Sequence, residues 1–224
     1  MIIDYKNIVV INILLTKKRF FMIIVGVTGS IGMGKTTVAS MLRILCVPVF
    51  DSDKNVKNIL EKNHKVIEKI NNIWPETVHV SECQKKIDKL ALSDVIFNDI
   101  QNKKKLEKII HPIVQKERNL FLKNYEDSKI VALDVPLLYE TGTNKICDYV
   151  FLVNTTSEIQ KKRVLSRKNM TETKFNLINN SQWDFRRKKK ERPYVINTSL
   201  GKFFSFFLVL YYLLIIIICG KKND

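Results

Sequence analysis

Residues 29–36 read G-S-I-G-M-G-K-T, a complete match to G-x-x-x-x-G-K-[ST]. An apolar run, 22–27, precedes the match, and a helix-like stretch, 36–43, follows it. Nothing else in the chain restricts the fold as much. A strand must enter a tight loop and leave through a helix, which places the segment at the carboxyl edge of a parallel sheet. In such a loop Gly29, Gly32 and Gly34 let backbone N–H groups turn inward around an anionic phosphate with no Cβ in the way. The helix that starts near Lys35 adds the positive end of its dipole. The residues expected to cradle a nucleoside triphosphate are therefore Gly29, Ser30, Ile31, Gly32, Met33, Gly34, Lys35, Thr36 and Thr37. Of these, Lys35 is expected to reach the β- and γ-phosphates, and Thr36 to offer its hydroxyl to Mg²⁺.

Further apolar, β-type runs lie at 47–50, 130–133, 149–153 and 194–196, separated by helical patterns at 53–69, 87–97, 103–123 and 157–166. Strands that alternate with helices predict an α/β fold with a parallel sheet covered on both faces. A length of 224 residues fits one such domain with an insertion. The stretch 56–125 is too long for a simple crossover and reads as a helical insertion over the active site. The densely charged stretch 161–190, between the fourth and fifth strands, occupies the position of a mobile lid in a nucleotide kinase.

A net charge of +16 admits nucleic acid, membrane surface or polyanionic small substrates as partners. An AT-rich coding sequence, suggested by abundant Lys, Asn, Ile and Phe, explains the same surplus without any partner. No aromatic-interleaved basic patch or nucleic-acid motif accompanies the charge, so no nucleic-acid partner is expected. The four cysteines show no C-x-x-C spacing and the three histidines are dispersed, which argues against a disulfide framework or zinc site and for a reducing, cytoplasmic compartment.

Both ends depart from the pattern. In residues 1–21 the apolar run 8–15 is too short to span a bilayer, and the charges that follow it are on the wrong side for a secretory signal. This extension is expected to lie outside the fold, with translation starting at Met22. Residues 203–219 are almost uniformly apolar, with Ser205 the exception, and have lysines on both flanks. That tail admits three readings: a membrane anchor, a buried helix, or the product of a damaged reading frame.

The second strand ends in Asp51-Ser52-Asp53, two carboxylates at the edge where open α/β sheets bind ligands. One carboxylate can accept a proton from an attacking hydroxyl while the other positions Mg²⁺ or water. Taken alone, the pair is better explained as a helix cap or surface turn.

Taken with other segments in the same order, these residues resemble the dephospho-coenzyme A kinase family. The matching segments are M-I-I-V-G-V-T-G-S-I-G-M-G-K-T-T-V-A, V-F-D-S-D, L-E-K-I-I-H-P at 106–112, V-P-L-L-Y-E at 135–140, K-R-V-L-S-R at 162–167, Gln182, and V-I-N-T-S at 195–199. The resemblance covers about residues 22–202. It implies a P-loop kinase with a five-stranded parallel sheet flanked by helices, a helical acceptor-binding insertion and a lid. The implied reaction moves the γ-phosphoryl group of ATP, with Mg²⁺, to the ribose 3′-hydroxyl of dephospho-coenzyme A. On this chain the resemblance makes Asp53 the base for that hydroxyl and Lys35 the cation on the transferring group. Arg163 and Arg167 become lid arginines, whose planar guanidinium groups suit charge spread over a loose phosphoryl transition state. Asp51, Asp53, His111, Pro112, Pro136, Leu137, Tyr139 and Glu140 fall on the acceptor side. Thr36 is the implied metal ligand, joined by Asp134, which sits at a Walker-B-like strand end and is as readily a buried structural acid. The chain departs from the family at Arg192-Pro193-Tyr194, in the very basic lid tail 186–190, and in the apolar tail 203–224, where the family has an amphipathic helix. A nucleotide-binding remnant without catalysis and a membrane-anchored kinase, held through 203–219, are the rival readings.

Overall fold

The computed structural model describes residues 22–81, 84–168 and 170–221, and the expectation for residues 1–21 falls outside them. From β1 (Ile23–Thr28) the chain passes through the glycine loop into α1 (Lys35–Ile44) and returns as β2 (Val49–Asp51). An insertion follows, made of α2 (Ser52–Lys62), α3 (His64–Ile73), the hairpin β3 (Val78–Ser81) and β4 (Gln84–Ile87), α4 (Lys89–Asn98) and α5 (Ile100–Asn124). The chain then re-enters the sheet as β5 (Ile130–Asp134) and β6 (Tyr149–Asn154). Next come α6 (Ser157–Leu165), α7 (Glu172–Asn180) and α8 (Phe185–Lys190), and it closes with β7 (Tyr194–Asn197) and α9 (Gly201–Cys219).

The main sheet has five parallel strands in the order β2-β5-β1-β6-β7. Because β1 lies at its centre, Val25 and Val27 are fully buried, as are Val131, Ala132 and Leu133 of β5. Strands covered on both faces need no polar alternation, which is why they read as continuous apolar runs. Pairing in β2 starts at Val49 rather than at 47. Pro48 has no N–H to donate to a ladder and contributes only its carbonyl, which accepts from Ala132.

Two helical expectations are corrected by side-chain caps. The single helix expected over 53–69 is split at Asn63, whose extended backbone and side-chain oxygen, accepting from the Val66 N–H at 3.2 Å, start a second helix. The helix expected from 87 begins instead at Lys89, because Asp88 caps it through the Leu90 and Ala91 N–H groups, leaving Ile87 in β4. The hairpin β3–β4 went unforeseen, its strands being only four residues each.

The apolar tail forms α9, and one stripe of it is built into the sheet. Val209, Leu213 and Ile216 join the main core with Val25, Val38 and Phe151. From within the helix the Tyr212 hydroxyl donates to the Val195 carbonyl, and at its C-terminal end the Gly220 carbonyl accepts from the Tyr149 hydroxyl. The opposite stripe, with Phe203, Phe207, Tyr211, Leu214 and Ile218, is exposed. Among the described residues α9 is the one helix long and apolar enough to cross a membrane.

Candidate active site

The loop between β1 and α1 owes its shape to its glycines for two different reasons. Gly34, at φ 96°, takes a left-handed conformation that opens α1 with no side chain capping the helix, so the first-turn amides face outward as an anion site. Gly29 has an ordinary φ but sits against β6, where an added Cβ would stand 2.7 Å from the Val153 carbonyl oxygen. The first glycine is thus a matter of close approach rather than of backbone freedom, which spacing alone does not distinguish. Gly29, Ser30, Ile31, Gly32, Met33, Gly34, Lys35, Thr36 and Thr37 all line one cavity of about 590 Å³, together with Asp53, Arg163, Arg167 and the start of α9. This is the donor cavity.

Lys35, the first residue of α1, is the electrostatic centre. Its Nζ lies 2.7 Å from Asp134 Oδ1 and 3.8 Å from Asp53 Oδ2. Asp134 ends β5 with its side chain only 2 % exposed, and loss of solvent pushes its pKa up, against the pull of Lys35. The cleft walls push Asp53 up as well, with Lys35 again opposing and Asp51 adding to the rise. Since the Asp53 side chain keeps 70 % of its exposure, solvent screening makes its shift the softer of the two.

The two acids of D-x-D part company. Asp51 accepts the Lys54 N–H at 2.9 Å, capping α2, and pairs with Arg43 at 3.7 Å. It is therefore a cap and an ion-pair partner, and it lines neither the donor cavity nor the one beside it. Asp53, one step into α2, points into both.

That second cavity, about 320 Å³, lies between the sheet edge and the insertion and is walled by Phe50, Val56, Val114, Val135 and Leu137, with His111, Gln115 and Arg118 from α5. It shares Asp53, Pro136, Ile178 and Gln182 with the donor cavity. His111, Pro136 and Leu137 thus come together as expected. Pro112, Tyr139 and Glu140 are elsewhere. Pro112 sits inside α5, facing solvent. Tyr139 is buried, its ring stacked on Trp183. Glu140 accepts the Trp183 N–H at 2.7 Å and faces Lys188 Nζ at 3.2 Å. These two contact Trp183 and Lys188 of the charged stretch and line neither cavity.

α6 and the segments that follow it also hold the loop directly. Ile31 donates its N–H to Gln182 Oε1 at 3.0 Å and accepts from Gln160 Nε2 at 2.8 Å, so both of its backbone groups are held from above. Arg163 donates to the hydroxyl and carbonyl of Thr198, whose own hydroxyl donates to the Met33 carbonyl. Gln160 and Thr198 were not singled out from sequence, since a lone Gln or Thr carries no spacing signal. Arg167 lines the donor cavity just past the end of α6, four residues after Arg163. Among the described residues no three His, Cys, Asp or Glu side chains gather as a metal-binding group. Such a site fits Mg²⁺, which takes one or two protein oxygens and completes its shell with phosphate and water.

A glycine cradle, a lysine between two carboxylates and an adjoining second cavity suit a kinase, and comparison with known proteins says which kind. The family model for dephospho-CoA kinase matches residues 23–201. The chain belongs to the dephospho-CoA kinase family. A dephospho-CoA kinase of Nitrobacter winogradskyi is 38 % identical over 182 residues, covering 80 % of this chain and 88 % of the relative. One of Zymomonas mobilis is 35 % identical over 175 residues, covering 78 % and 87 %. A crystal structure of a Thermus thermophilus protein superposes with a TM-score of 0.76 at 29 % identity, covering 87 % of this chain and 97 % of that one. The dephospho-CoA kinase from Campylobacter jejuni shares the fold at a TM-score of 0.66 and 23 % identity, covering 89 % and 99 %.

Proposed function

We propose that this chain transfers the γ-phosphoryl group of ATP to the ribose 3′-hydroxyl of dephospho-coenzyme A, in the cytoplasm, as the last step of coenzyme A synthesis. The observation that carries the reading is the position of Asp53. It stands where the donor and acceptor cavities meet, 3.8 Å from Lys35. A hydroxyl placed there loses its proton to Asp53 as its oxygen attacks the γ-phosphorus, and the bond to the β-phosphate oxygen breaks in line. Lys35 neutralises the transferring group from one side, and Arg163 and Arg167 from the lid side. Mg²⁺, held by Thr36 with Asp134 behind it, would supply charge neutralisation at the β- and γ-oxygens. Asp134 also fixes Lys35: the short ion pair keeps the ammonium aimed into the cleft.

The test is direct. Incubation with ATP, Mg²⁺ and dephospho-coenzyme A should yield coenzyme A and ADP, identified by mass, whereas AMP, CMP and shikimate should not be phosphorylated. A nucleoside monophosphate proving the better acceptor would break the acceptor assignment and leave the kinase class standing. A nucleotide-dependent thermal shift with no product would mark a catalytically silent relative.

The exposed stripe of α9 favours one addition, the same kinase resting on a membrane. Five large apolar side chains face outward beside Lys202, and the surplus of 38 Lys+Arg over 22 Asp+Glu suits an anionic lipid surface. Flotation with phosphatidylserine vesicles, absent in a variant with Phe207, Tyr211 and Ile218 changed to Ser, is the expected result. Equal flotation of both proteins removes the addition.

A further inference from the structure

Among the described residues Arg118 has no carboxylate partner and no side-chain hydrogen bond. It sits on α5, two helical turns after His111, and lines the acceptor cavity. Its Nε is buried without a hydrogen bond, and among the described residues no carboxylate lies within 4 Å of it. Three other arginines are engaged: Arg43 with Asp51, Arg163 with Thr198, Arg187 over the Trp183 ring at 3.5 Å. The nearby titratable group is the Cys147 thiol, which burial pushes up to about 12, so it is neutral and supplies no counter-charge. The rest of the wall exposes mostly apolar surface, Phe50, Val56 and Val114 among it. A half-buried cation in such surroundings is costly unless something arrives to pair with it.

We propose that Arg118 is the anion hook of the acceptor cavity, pairing with the 5′-phosphates of an acceptor whose hydroxyl lies at Asp53. The proposal rests on the reading of this cavity as the acceptor site. A planar fork of N–H donors is suited to phosphate oxygens. The cavity holds its carboxylate at the end shared with the donor and its cation on α5. The acid therefore meets the neutral hydroxyl, and the cation meets the charged part of the same molecule. The acceptor class that fits is a nucleoside 5′-phosphate or 5′-diphosphate ester, in preference to a bare nucleoside or an uncharged polyol. Arg118 is a positioning residue, since it does not touch the reacting atoms.

The experiment compares the parent with Arg118→Ala and Arg118→Lys, each checked for an unchanged thermal midpoint. Binding of dephospho-coenzyme A and of adenosine is measured by calorimetry, with the donor cavity filled by Mg²⁺ and a non-hydrolysable ATP analogue. Arg118→Ala should weaken dephospho-coenzyme A about 10- to 100-fold, the range for hydrogen bonds to charged groups, and leave adenosine within twofold. Arg118→Lys should fall between, keeping charge but losing the fork. In turnover, the KM for dephospho-coenzyme A should rise by the same factor while kcat and the KM for ATP hold. Equal losses for adenosine and dephospho-coenzyme A would show that Arg118 only shapes the wall, and an unchanged affinity for both would show that it does nothing there. Either result overturns the proposal. A parent that binds both compounds without making coenzyme A would instead count against the proposed reaction and leave the hook standing.

Discussion

Asp51 and Asp53 are chemically alike and two residues apart, yet the fold gives them different work. Asp51 spends its carboxylate on the Lys54 N–H and Arg43. Asp53, whose carboxylate is left to solvent and Lys35, is free to take a proton. Asp53→Asn preserves size but cannot act as a base, and kcat should fall by about 10²-fold or more, the usual contribution of general-base catalysis. The KM for ATP should stay within about twofold, since the loop contacts to the nucleotide phosphates are untouched. Asp51→Ala should instead cost about 1 kcal/mol of stability, as lost helix caps do, with a milder effect on kcat. Steady-state kinetics and urea unfolding of the two variants separate these outcomes; equal small losses in rate would demote Asp53 to a structural role. The pH profile adds a second reading of the same residue. The proton-accepting form is the ionised one, and the cleft raises Asp53 above its ordinary value. The acid limb of kcat should therefore lie above about pH 4, the unperturbed carboxylate range, with activity lost as pH falls through it. Replacement by Asn should abolish that limb.

At the scale of elements, what was legible in the sequence depended on how local the cause was. The loop, its strand and its helix are fixed by residues adjacent in sequence, so G-S-I-G-M-G-K-T was read correctly as one unit, and the apolar runs at 130–133 and 149–153 found β5 and β6 with only their ends displaced. Where a single polar side chain competed with a hydrophobic pattern, the pattern misled: Asn63 and Asp88 each reset a helix start through one or two hydrogen bonds. The charged stretch 161–190 was visible as an expected lid, but the contacts that tie the elements flanking it to the loop were not. Gln160 meets Ile31 across 129 positions, and Thr198 meets Met33 across 165. Contacts of that separation have no periodicity to betray them. The Gln160 contact yields a prediction of its own. Gln160→Met keeps the volume but frees the Ile31 carbonyl, so the loop should be less well ordered for phosphate. The KM for ATP should rise about 2- to 10-fold, the value of one hydrogen bond, with the KM for the acceptor unchanged. A variant with both KM values unaltered would show that the loop holds its shape unaided.

On the scale of the whole molecule, α9 has two faces with opposite consequences. Leu213 is 4 % exposed and packed in the main core, so Leu213→Ala should lower stability by about 2–5 kcal/mol, as buried leucines do. Ile218, 83 % exposed, should tolerate Ser within about 0.5 kcal/mol, as surface sites do. Chemical denaturation of both variants checks the contrast, and comparable losses would mean that the outward stripe is covered in the folded protein. The tail was the place where composition misdirected most. Its hydropathy hid a packing stripe, Ser205, Val209, Leu213 and Ile216, that recurs at helical spacing and faces the sheet. The same helix lends Gly201, Lys202 and Ser205 to the donor cavity, so severe loss of α9 packing should appear first as weakened nucleotide binding.

The wall common to the two cavities, Asp53, Pro136, Ile178 and Gln182, has a use in ligand design. Because the compartments adjoin along these residues, one continuous compound, two nucleosides joined through a short polyphosphate bridge, is expected to occupy both. Tethering the halves makes the second docking intramolecular, and affinity then gains from the effective concentration, typically millimolar for short flexible links. The bridge length that binds tightest becomes a ruler for the gap across which the phosphoryl group travels.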